Sequence, residues 1–309
     1  MSSVLFDVPG PRAVVRNRLI GAATVLVVLA VLGWVVWRLF ATGQFSAEKW
    51  NIFTFSAVWV RFGEGLVATL AAFAVAGVGS IALGFLLGIG RLSEHAWVRE
   101  PVRWIIEVLR AVPVLILMML LYYGLPVIGV KMPPYWAVVI ALIVYNGSVL
   151  AEVLRAGIES LPRGQKEAGY AIGLRKTGVM YFILIPQAVR AMMPVIIAQL
   201  VVALKDTALG FIITYQELLY VINQIGNQAP YGSPLIPAAI VGGSMYVAVC
   251  LLLSYIAYRL QRRAKRYGGH VHEARVVPLE RDSDRRGRSI TVLGDDEVGL
   301  ARTHVLVVD

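Results

Sequence analysis

The amino-acid sequence predicts an all-α membrane protein with six transmembrane helices. The chain has 309 residues, of which 58% are hydrophobic and only 16% are charged, and its mean hydropathy is +0.71. A soluble protein of this size could not bury so much apolar surface in one core. Windows of about 20 apolar residues, enough to cross a bilayer core of roughly 30 Å, recur along the chain. They lack the alternation of barrel strands, so each is predicted to be a helix that satisfies its own backbone hydrogen bonds.

The six spans follow one another along the chain. They are predicted to run from Leu19 to Phe40, Gly65 to Gly90, Trp104 to Tyr123, Tyr135 to Leu154, Pro194 to Ile213 and Pro237 to Leu260. The first is too long for the apolar core of a signal peptide, and no cleavage pattern of small residues follows it. We therefore expect residues 1–62 to comprise a cytoplasmic segment, a retained anchor and an outer segment. In that outer segment Trp50, Phe53 and Trp59 are predicted to lie at the membrane interface.

Basic residues are unevenly divided between the two sets of connections. One set holds most of them: Arg12, Arg16 and Arg18 before the first span, Arg91, Arg99 and Arg103 after the second, Arg155, Arg163, Lys166, Arg175, Lys176 and Arg190 after the fourth, and Arg262, Arg263, Lys265 and Arg266 after the sixth. The other set holds little beyond Lys49, Arg61 and Lys131. The positive-inside rule then predicts that both termini and the connection after the fourth span face the cytoplasm. The net charge of +10 is mainly a topology signal, and no nucleic-acid partner is expected.

Residues that could ligate a metal or act as a nucleophile are few. Cys250 is the only cysteine and lies within the sixth predicted span, which excludes an intramolecular disulfide. The four histidines all lie outside the predicted spans, and none has the HExxH spacing. The sequence therefore predicts no metal site and no catalytic residue.

Two segments outside the spans have patterns of their own. From Tyr215 to Gly226, apolar residues recur at mostly helical spacing over a stretch too short to cross the membrane. This predicts a helix packed on the outer mouth of the bundle. Residues 261–309 are polar and mixed in charge, and they are predicted to be a cytoplasmic tail, disordered apart from its basic run, which can contact anionic lipid.

The connection after the fourth span, about residues 159–190, is long, basic and punctuated by glycine. Pro162 and Gly164 precede a helix-compatible run that Gly173 closes, and a second amphipathic stretch ends at Pro186. We predict two short helices joined by a turn. On these features alone, a docking surface for another protein and a simple interfacial hairpin both remain open.

Several residues of this connection stand at a fixed spacing. They are Glu167, Ala168, Gly169, Gly173, Ile183, Ile185 and Pro186. The pattern closely resembles the EAA motif of permease subunits in bacterial ABC-type importers. The similarity to the polar amino-acid uptake branch extends over roughly Gly65 to Leu260, through GLVATL, LRAVPVLILMMLLYYGLP, LAEVLRAGIESLPRGQKEA, IPQAVRAMMP and LKDTALGFIITYQEL. Within that branch the chain looks most like the glutamate-type permeases of actinobacteria.

The resemblance implies a five-helix type I importer core over residues 63–260, to which the first span is an addition. It also implies that the connection inserts into a groove on a separate ATPase and passes ATP-driven closure to the membrane helices. The coupling residues would be Glu167, Ala168, Gly169, Gly173, Leu174 and Pro186. Ala168 and Gly169 suit the close approach of a partner backbone, Gly173 permits the turn, and Glu167 offers a carboxylate for a charge-assisted bond.

No cofactor is expected in this chain. The phosphate-binding pattern GxxxxGK[ST] is absent, so ATP and Mg are expected on the partner ATPase. The resemblance implies two ATPase copies, a second permease that is identical or paralogous, and an extracytoplasmic amino-acid-binding protein, assembled in the bacterial inner membrane. The expected activity is import of a glutamate- or glutamine-like polar amino acid by alternating access. The alternative is a stand-alone secondary transporter or channel, which inverted repeats with matched broken helices would favour and which the sequence does not show.

Charged and polar groups within the spans mark a candidate substrate path. Lys205 and Asp206, followed by Thr207, lie deep in the fifth predicted span. Neighbours on a helix project about 100° apart, so Lys205 and Asp206 cannot pair with each other, and each needs its own partner or a wet cavity. Asn146 and Gln199 could bind a zwitterionic ligand, or they could form hydrogen bonds between helices.

Arg110 lies one helical turn after Glu107, near the start of the third predicted span. Arg110 could pair with Glu107, extend to the membrane surface, or bind the carboxylate of the substrate. This span departs from the family pattern, in which Gly-Thr tends to precede the proline and a glutamine follows. This chain has Ala111, Val112 and then only apolar residues to Met119, so polar substrate contacts are not carried over to this helix. Ala208 likewise stands where relatives often have serine.

Overall fold

A computed structural model describes residues 10–268, 282–283 and 289–290, with side chains from residue 10 to residue 259. Within these residues, five helices are long and apolar enough to cross a membrane, and a bent helix pair forms a sixth span if it is counted as one. The predicted all-α membrane fold is therefore confirmed. The chain divides into two units, Met1–Gln261 and Arg262–Asp309. In the second unit, the two-residue strands β1 (Asp282–Ser283) and β2 (Ser289–Ile290) pair antiparallel.

The first helix, α1 (Pro11–Ala41), contains the predicted first span. Proline at its first position needs no amide donor there and is already set for helical φ. At 1.5 Å per residue its 31 residues are long enough to cross a bilayer. None of its residues is buried. The helix is therefore exposed on all sides, and between Leu19 and Trp37 it carries no charged residue, as expected of a span surrounded by lipid.

Helices α3 (Ser56–Arg91) and α6 (Pro134–Glu159) form the central pair of the bundle. They pack closely because α3 presents small residues to α6. A Cβ added to Gly84 would lie 2.7 Å from the Cβ of Leu150, and one added to Gly88 would lie 3.3 Å from the carbonyl oxygen of Ala151. Small residues at such spacing let helix backbones approach within a membrane. The predicted second and fourth spans, Gly65–Gly90 and Tyr135–Leu154, lie within these two helices.

The third span is not the straight helix predicted from Trp104 to Tyr123. Helix α4 (Ala96–Ala111) is followed by α5 (Val114–Met119), which continues through a π-helical turn and a 3₁₀ turn to Ile128, and the two halves are bent by 93°. Pro113 explains the bend, because it has no backbone amide to donate and it holds the residue before it in extended backbone. Val112 has φ −84° and ψ 122°.

The predicted pair of short helices is only partly confirmed. Helix α7 (Arg163–Ala171) forms as expected, but the second stretch does not end at Pro186. It begins as α8 (Lys176–Gly178), passes through a π-helical turn over Val179–Leu184 and continues as α9 (Ile185–Asp206). The π turn comes just before Pro186, where a regular helix would lose one hydrogen bond, and such turns allow a helix to pass an irregular residue. The predicted span Pro194–Ile213 is therefore the second half of a 38-residue segment, Lys176–Ile213.

A short helix caps the Ser56 end of α3. Helix α10 (Leu218–Gly226) confirms the predicted non-spanning helix, although it begins three residues later than expected. It lies directly on the backbone of α3, because a Cβ on Gly65 would come within 3.1 Å of the Cα of Leu218. Apolar residues from both helices, from the turn before α3 and from the last helix, Leu235–Gly268, form a cluster here, made of Ile52, Phe62, Leu218, Val221, Ile222, Ile225 and Ala238.

The outer aromatic segment is confirmed as a short helical piece, although Trp59 belongs to α3. Helix α2 (Ala47–Trp50) continues as a 3₁₀ turn from Asn51 to Thr54, and Trp50 packs on Phe53 with ring centroids 5.6 Å apart. The indole nitrogen of Trp59 donates to the carbonyl of Phe53 at 2.8 Å. This bond fastens the segment to the first turn of α3.

The last helix, α11 (Leu235–Gly268), contains the predicted span Pro237–Leu260. It continues into the basic run of the predicted tail, residues 261–268, which is therefore helical. Apart from the two short strands, the rest of that tail lies outside the described residues.

Candidate coupling site and substrate path

Helix α7 is a short, exposed helix between two spans. Of its nine residues only Gly169 is buried. The helix ends in a left-handed turn at Gly173, whose φ is +82°, and the amide of Leu174 donates to the carbonyl of Gly169 at 3.2 Å. This six-to-one bond is the Schellman motif, which favours glycine at the left-handed position. The predicted turn residue is confirmed, and α7 is a preformed structure rather than a flexible loop.

The motif suggested that Gly169 allows the close approach of a partner backbone. In the structure Gly169 packs against its own chain instead. A Cβ at this position would lie 2.9 Å from both the Cδ1 of Ile183 and the Cγ2 of Val179, on the π turn that leads into α9. The glycine is needed because α7 packs directly on this segment of its own chain. Leu174 packs beside it, in the cluster that contains Val179 and Leu184.

The other predicted coupling residues lie on the surface. Glu167 and Ala168 are exposed, and Glu167 makes no ion pair with any other described residue. Ile172 is 76% exposed just beyond the helix. Pro186 is exposed in the first turn of α9. The structure thus offers a solvated carboxylate, a small residue and an apolar side chain on one short element, and the coupling role of these residues stays a prediction.

Ion pairs hold the end of the bundle that carries α7. Glu94, in the connection after α3, accepts from Lys176 at 2.8 Å, and this bond lowers the pKa of the Glu94 carboxyl. Arg91 reaches Glu152 of α6 at 3.4 Å, and Glu152 also pairs with Arg155 at 2.8 Å. Sequence reasoning missed the pairs Glu94–Lys176 and Arg91–Glu152, because nothing in the chain indicates which distant charges the fold brings together.

Asn146 and Gln199 are joined to each other. The Nε2 of Gln199 donates to the Oδ1 of Asn146 at 2.8 Å, and the Nδ2 of Asn146 donates to the carbonyl of Leu142 at 2.9 Å. Asn146 is buried. Of the two alternatives, the structure therefore favours the interhelical hydrogen bond, which links α6 to α9.

Lys205, Asp206 and Thr207 mark the point where α9 gives way to a 3₁₀ helix, Thr207–Ile213. Thr207 is buried and donates to the carbonyl of Leu204 at 2.6 Å, so its hydroxyl is used locally. Asp206 is half-buried and has no hydrogen bond or ion pair with another described residue. Lys205 is exposed and lines an open, mainly apolar cavity of about 550 Å³ together with Tyr246 and Cys250. These two charges stay the strongest candidates for a substrate path.

Arg110 does not pair with Glu107. The Oε1 of Glu107 instead accepts from the Nε of Arg103 at 2.8 Å, one turn earlier in α4. Arg110 is exposed in the last turn of α4, just before the bend at Pro113. The charge predicted near a membrane surface therefore lies at a break in the helix.

Sequence reasoning did not single out Glu217, a carboxylate with 0% exposure. It caps α10, because its two oxygens accept from the amides of Leu219 and Tyr220, both at 2.8 Å. The hydroxyl of Tyr246 in α11 also donates to it, at 2.6 Å. An acidic residue directly before an apolar helical run is a capping signal that could have identified it.

Several membrane-spanning helices, with a rigid and exposed short helix between two of them, define a multi-pass membrane protein. Comparison with known proteins places this chain within that class. A sequence model described as binding-protein-dependent transport system inner membrane component matches residues 80–266, and the chain belongs to this family.

Curated relatives are similar over most of their length. The glutamate transport system permease protein GluD of Corynebacterium glutamicum is 37% identical over 244 residues, covering 78% of this chain and 88% of GluD. The probable glutamine ABC transporter permease protein GlnP of Bacillus subtilis is 32% identical over 65% of this chain and 92% of its own. The Escherichia coli glutamine transport system permease protein GlnP is 30% identical over 69% and 98%.

Solved structures share the fold. The crystal structure of an amino acid ABC transporter with histidines superposes with a TM-score of 0.61 at 26% identity, covering 69% of this chain and 97% of that chain. An inward-facing structure of the MetNI methionine ABC transporter gives a TM-score of 0.57 at 18% identity, covering 68% and 98%, and supports the fold alone.

Proposed function

We propose that this chain is the permease subunit of an ATP-driven, binding-protein-dependent importer of a polar amino acid of the glutamate or glutamine type. Membership of the family supports the permease role. The amino-acid class is supported by relatives named for glutamate and glutamine transport. The chain itself is non-catalytic, and it sits as a multi-pass protein in the bacterial inner membrane.

The observation that carries this proposal is the exposed helix α7, which is held rigidly and is free to enter a groove on another protein. ATP and Mg bind to that partner, because the chain has no phosphate-binding loop. The complete importer has two ATPase copies and a second permease, identical or paralogous. An extracytoplasmic amino-acid-binding protein docks on the opposite face.

The end of the bundle that carries α7 faces the cytoplasm. Arg91, Arg99, Arg163 and Lys166 all line one cavity at this end, whereas few basic residues lie in the connections at the other end. This asymmetry is the positive-inside pattern. By the same rule both chain termini are cytoplasmic.

The contacts of α7 define how motion reaches the substrate path. Closure of two ATPases displaces α7, and its packing through Gly169 on Val179 and Ile183 passes the displacement to the start of α9. The Nε2 of Gln187 donates to the Oε1 of Gln165 at 3.1 Å, a second link between the two helices. At its other end α9 carries Lys205 and Asp206. A rigid helix between the two sites lets nucleotide state change the access of the path, as alternating access requires.

Capture of the ATPase tests the docking role. The chain is co-expressed with the ATPase from its own operon or a relative's, purified through a tag on the permease, and the bound ATPase is quantified. Glu167→Lys should remove most of the captured ATPase, since it reverses an exposed charge in the centre of α7. Glu48→Lys makes the same charge change on an exposed residue at the other end of the bundle and should retain it. Equal capture by both variants would contradict docking at α7.

Reconstitution tests the substrate. In proteoliposomes that contain the permease, its ATPase and the binding protein, ATP hydrolysis should be stimulated by glutamate or glutamine and not by hydrophobic amino acids. Uptake by the permease alone, without nucleotide, would instead support a stand-alone transporter or channel and would overturn the proposal.

A further inference from the structure

Two cavities of opposite chemistry adjoin each other at the α7 end of the bundle. The first has a volume of about 420 Å³ and lies between the connection after α3, the end of α6, and α7. The second has a volume of about 590 Å³ and lies between the end of α3, the start of α4 and the α8–α9 segment. They share a wall made of Leu92, Ser93, Glu94, Lys176 and Met180.

The first cavity is basic. Its lining includes the five cations Arg91, Arg99, Arg163, Lys166 and Lys176 and the two carboxylates Glu94 and Glu159. Arg91, Arg99 and Lys176 already pair with carboxylates. Arg163 and Lys166 make no ion pair with another described residue, although Lys166 lies 5.9 Å from the ring centroid of Tyr170. The cavity is therefore lined by more cations than carboxylates, and two of the cations are free of ion pairs with other described residues.

The second cavity is apolar. Its lining includes Ile89, Val98, Met180 and Ile185, together with Tyr181. Water is a poor occupant for such a lining, because it would find few polar partners there.

The residues around the two cavities indicate how deep the cavities lie relative to the bilayer. The apolar part of α3 ends at Arg91, which lines the basic cavity. Trp97 is 76% exposed and Tyr181 is 69% exposed at the same end. Exposed tryptophan and tyrosine at the end of a span are typical of the headgroup region, where lipid phosphates lie.

We propose that the two cavities form one site for an anionic phospholipid, with its phosphate in the basic cavity and the start of an acyl chain in the apolar cavity. Arg163 and Lys166 supply charge-assisted bonds to the phosphate. A free phosphate would occupy only the first cavity. A phospholipid would place its phosphate in the first cavity and an acyl chain in the second, and the two cavities adjoin at Met180. The bound lipid lies against Lys176, so it also supports the segment on which α7 packs.

The test measures lipid retained by the purified permease, without ATPase or binding protein. The protein is exchanged into mixed micelles of phosphatidylcholine with or without phosphatidylglycerol, and retained lipids are counted by native mass spectrometry. The double variant Arg163→Gln/Lys166→Gln should weaken retention of phosphatidylglycerol about 25-fold, since each basic side chain near an anionic surface contributes roughly fivefold.

The matched control is Arg12→Gln/Arg16→Gln, which removes the same charge at the start of α1. It should reduce retention of phosphatidylglycerol much less, because neither Arg12 nor Arg16 lines either cavity. Equal losses in both double variants would show general attraction to anionic lipid and would overturn the site, as would undiminished retention by Arg163→Gln/Lys166→Gln. All four residues are exposed, so both double variants should fold, which circular dichroism and thermal unfolding would check.

A third variant and a competitor test the apolar half of the site. Val98→Trp fills the apolar cavity and should reduce phosphatidylglycerol retention while leaving the basic cavity intact. Retention unaffected by Val98→Trp, or displacement of the lipid by millimolar inorganic phosphate, would show a simple anion site and would contradict the lipid. Because these measurements need no partner subunit, their failure is distinguishable from failure of ATPase capture.

Discussion

Glu217 is a fully buried carboxylate, and three donors offset part of the cost of burying it. Burying an ionised group without partners is expensive, but two backbone amides of α10 and the hydroxyl of Tyr246 all point at its oxygens. The same side chain therefore begins α10 and ties it to α11. A single residue here fixes the position of the helix that caps the bundle.

Replacing this carboxylate should be costly. Glu217→Ala is expected to lower the free energy of unfolding by about 2–4 kcal/mol, since it removes a helix cap worth about 1 kcal/mol and leaves the partly buried Tyr246 hydroxyl without its acceptor. Denaturant unfolding in detergent micelles measures the effect. Glu48→Ala, at an exposed site, should change stability by less than about 0.5 kcal/mol. A loss of that small size at Glu217 would contradict its capping role.

The same carboxylate should make stability depend on pH. Burial raises the pKa of Glu217 above its ordinary value of 4.5, against the opposing effect of its hydrogen bonds. The stabilisation from the protonated form is then fully present below pH 4.5 and is lost as the pH rises through the higher pKa of the folded protein. Glutamine cannot ionise. The thermal midpoint of Glu217→Gln should therefore increase relative to that of the wild type as the pH rises from 4.5 to 8. A constant difference across this range would be evidence against an upward shift in this pKa.

Which individual residues could be predicted depended on how local their roles are. Gly173 was identified because a left-handed helix end is a feature of a few consecutive residues. The bond between Asn146 and Gln199 and the pair of Glu94 with Lys176 join distant segments, so sequence could offer only alternatives or nothing. Gly169 was located correctly in the motif, but its packing on Val179 and Ile183 is a tertiary contact that the spacing does not reveal.

The contact of α3 with α6 depends on glycines that have no room for a methyl group. At Gly84 the obstructing atoms include the carbonyl oxygen of Gly147, 3.1 Å from an added Cβ, and the amide nitrogen of Ala151, 3.4 Å away. Backbone atoms within a helix cannot move aside as a flexible side chain can. This pair of helices therefore requires glycine at this position.

Gly84→Ala should accordingly destabilise the protein by about 1–3 kcal/mol, the usual cost of overpacking. The matched change Gly33→Ala lies in α1, where an added Cβ meets no atom within 4 Å. It should be neutral or stabilising by up to about 1 kcal/mol, because alanine is the better helix former. Unfolding of both variants in the same detergent gives the comparison, and equal effects of the two changes would contradict the claim that packing requires glycine at position 84.

The predicted elements were correct where hydropathy alone defines them and wrong where proline changes their course. At Pro113 the chain bends by 93°, because α4 ends at Ala111 and Val112 is extended, whereas at Pro186 the helix continues after a π turn. Proline removes the same hydrogen bond in both places. The outcome depends on whether neighbouring elements pack around a bend or around a continuous helix, which the sequence pattern does not record.

At the scale of the whole molecule, α1 is set apart from the other spans. No residue of Pro11–Ala41 is buried, whereas 61% of the most apolar window of α6 is buried. Buried contacts supply most of the stability of a packed helix, so α1 contributes little to the bundle. Its remaining effect is on topology, since one additional crossing moves the amino terminus to the other side of the membrane.

Deletion of residues 1–43 should therefore leave the bundle and its coupling site unchanged. We expect the truncated chain to unfold within about 1 kcal/mol of the full chain, because exposed side chains away from special contacts have small effects on stability. It should also capture the ATPase as well as the full chain does.

The orientation of α3 in the truncated chain should persist, because Arg91, Arg99 and Arg103 still follow it and favour the cytoplasm. A protease-cleavable tag at the new amino terminus should then be accessible from outside in intact cells, whereas a tag on the full chain should be protected. Loss of ATPase capture in the folded, truncated protein would show instead that α1 positions the coupling end of the bundle.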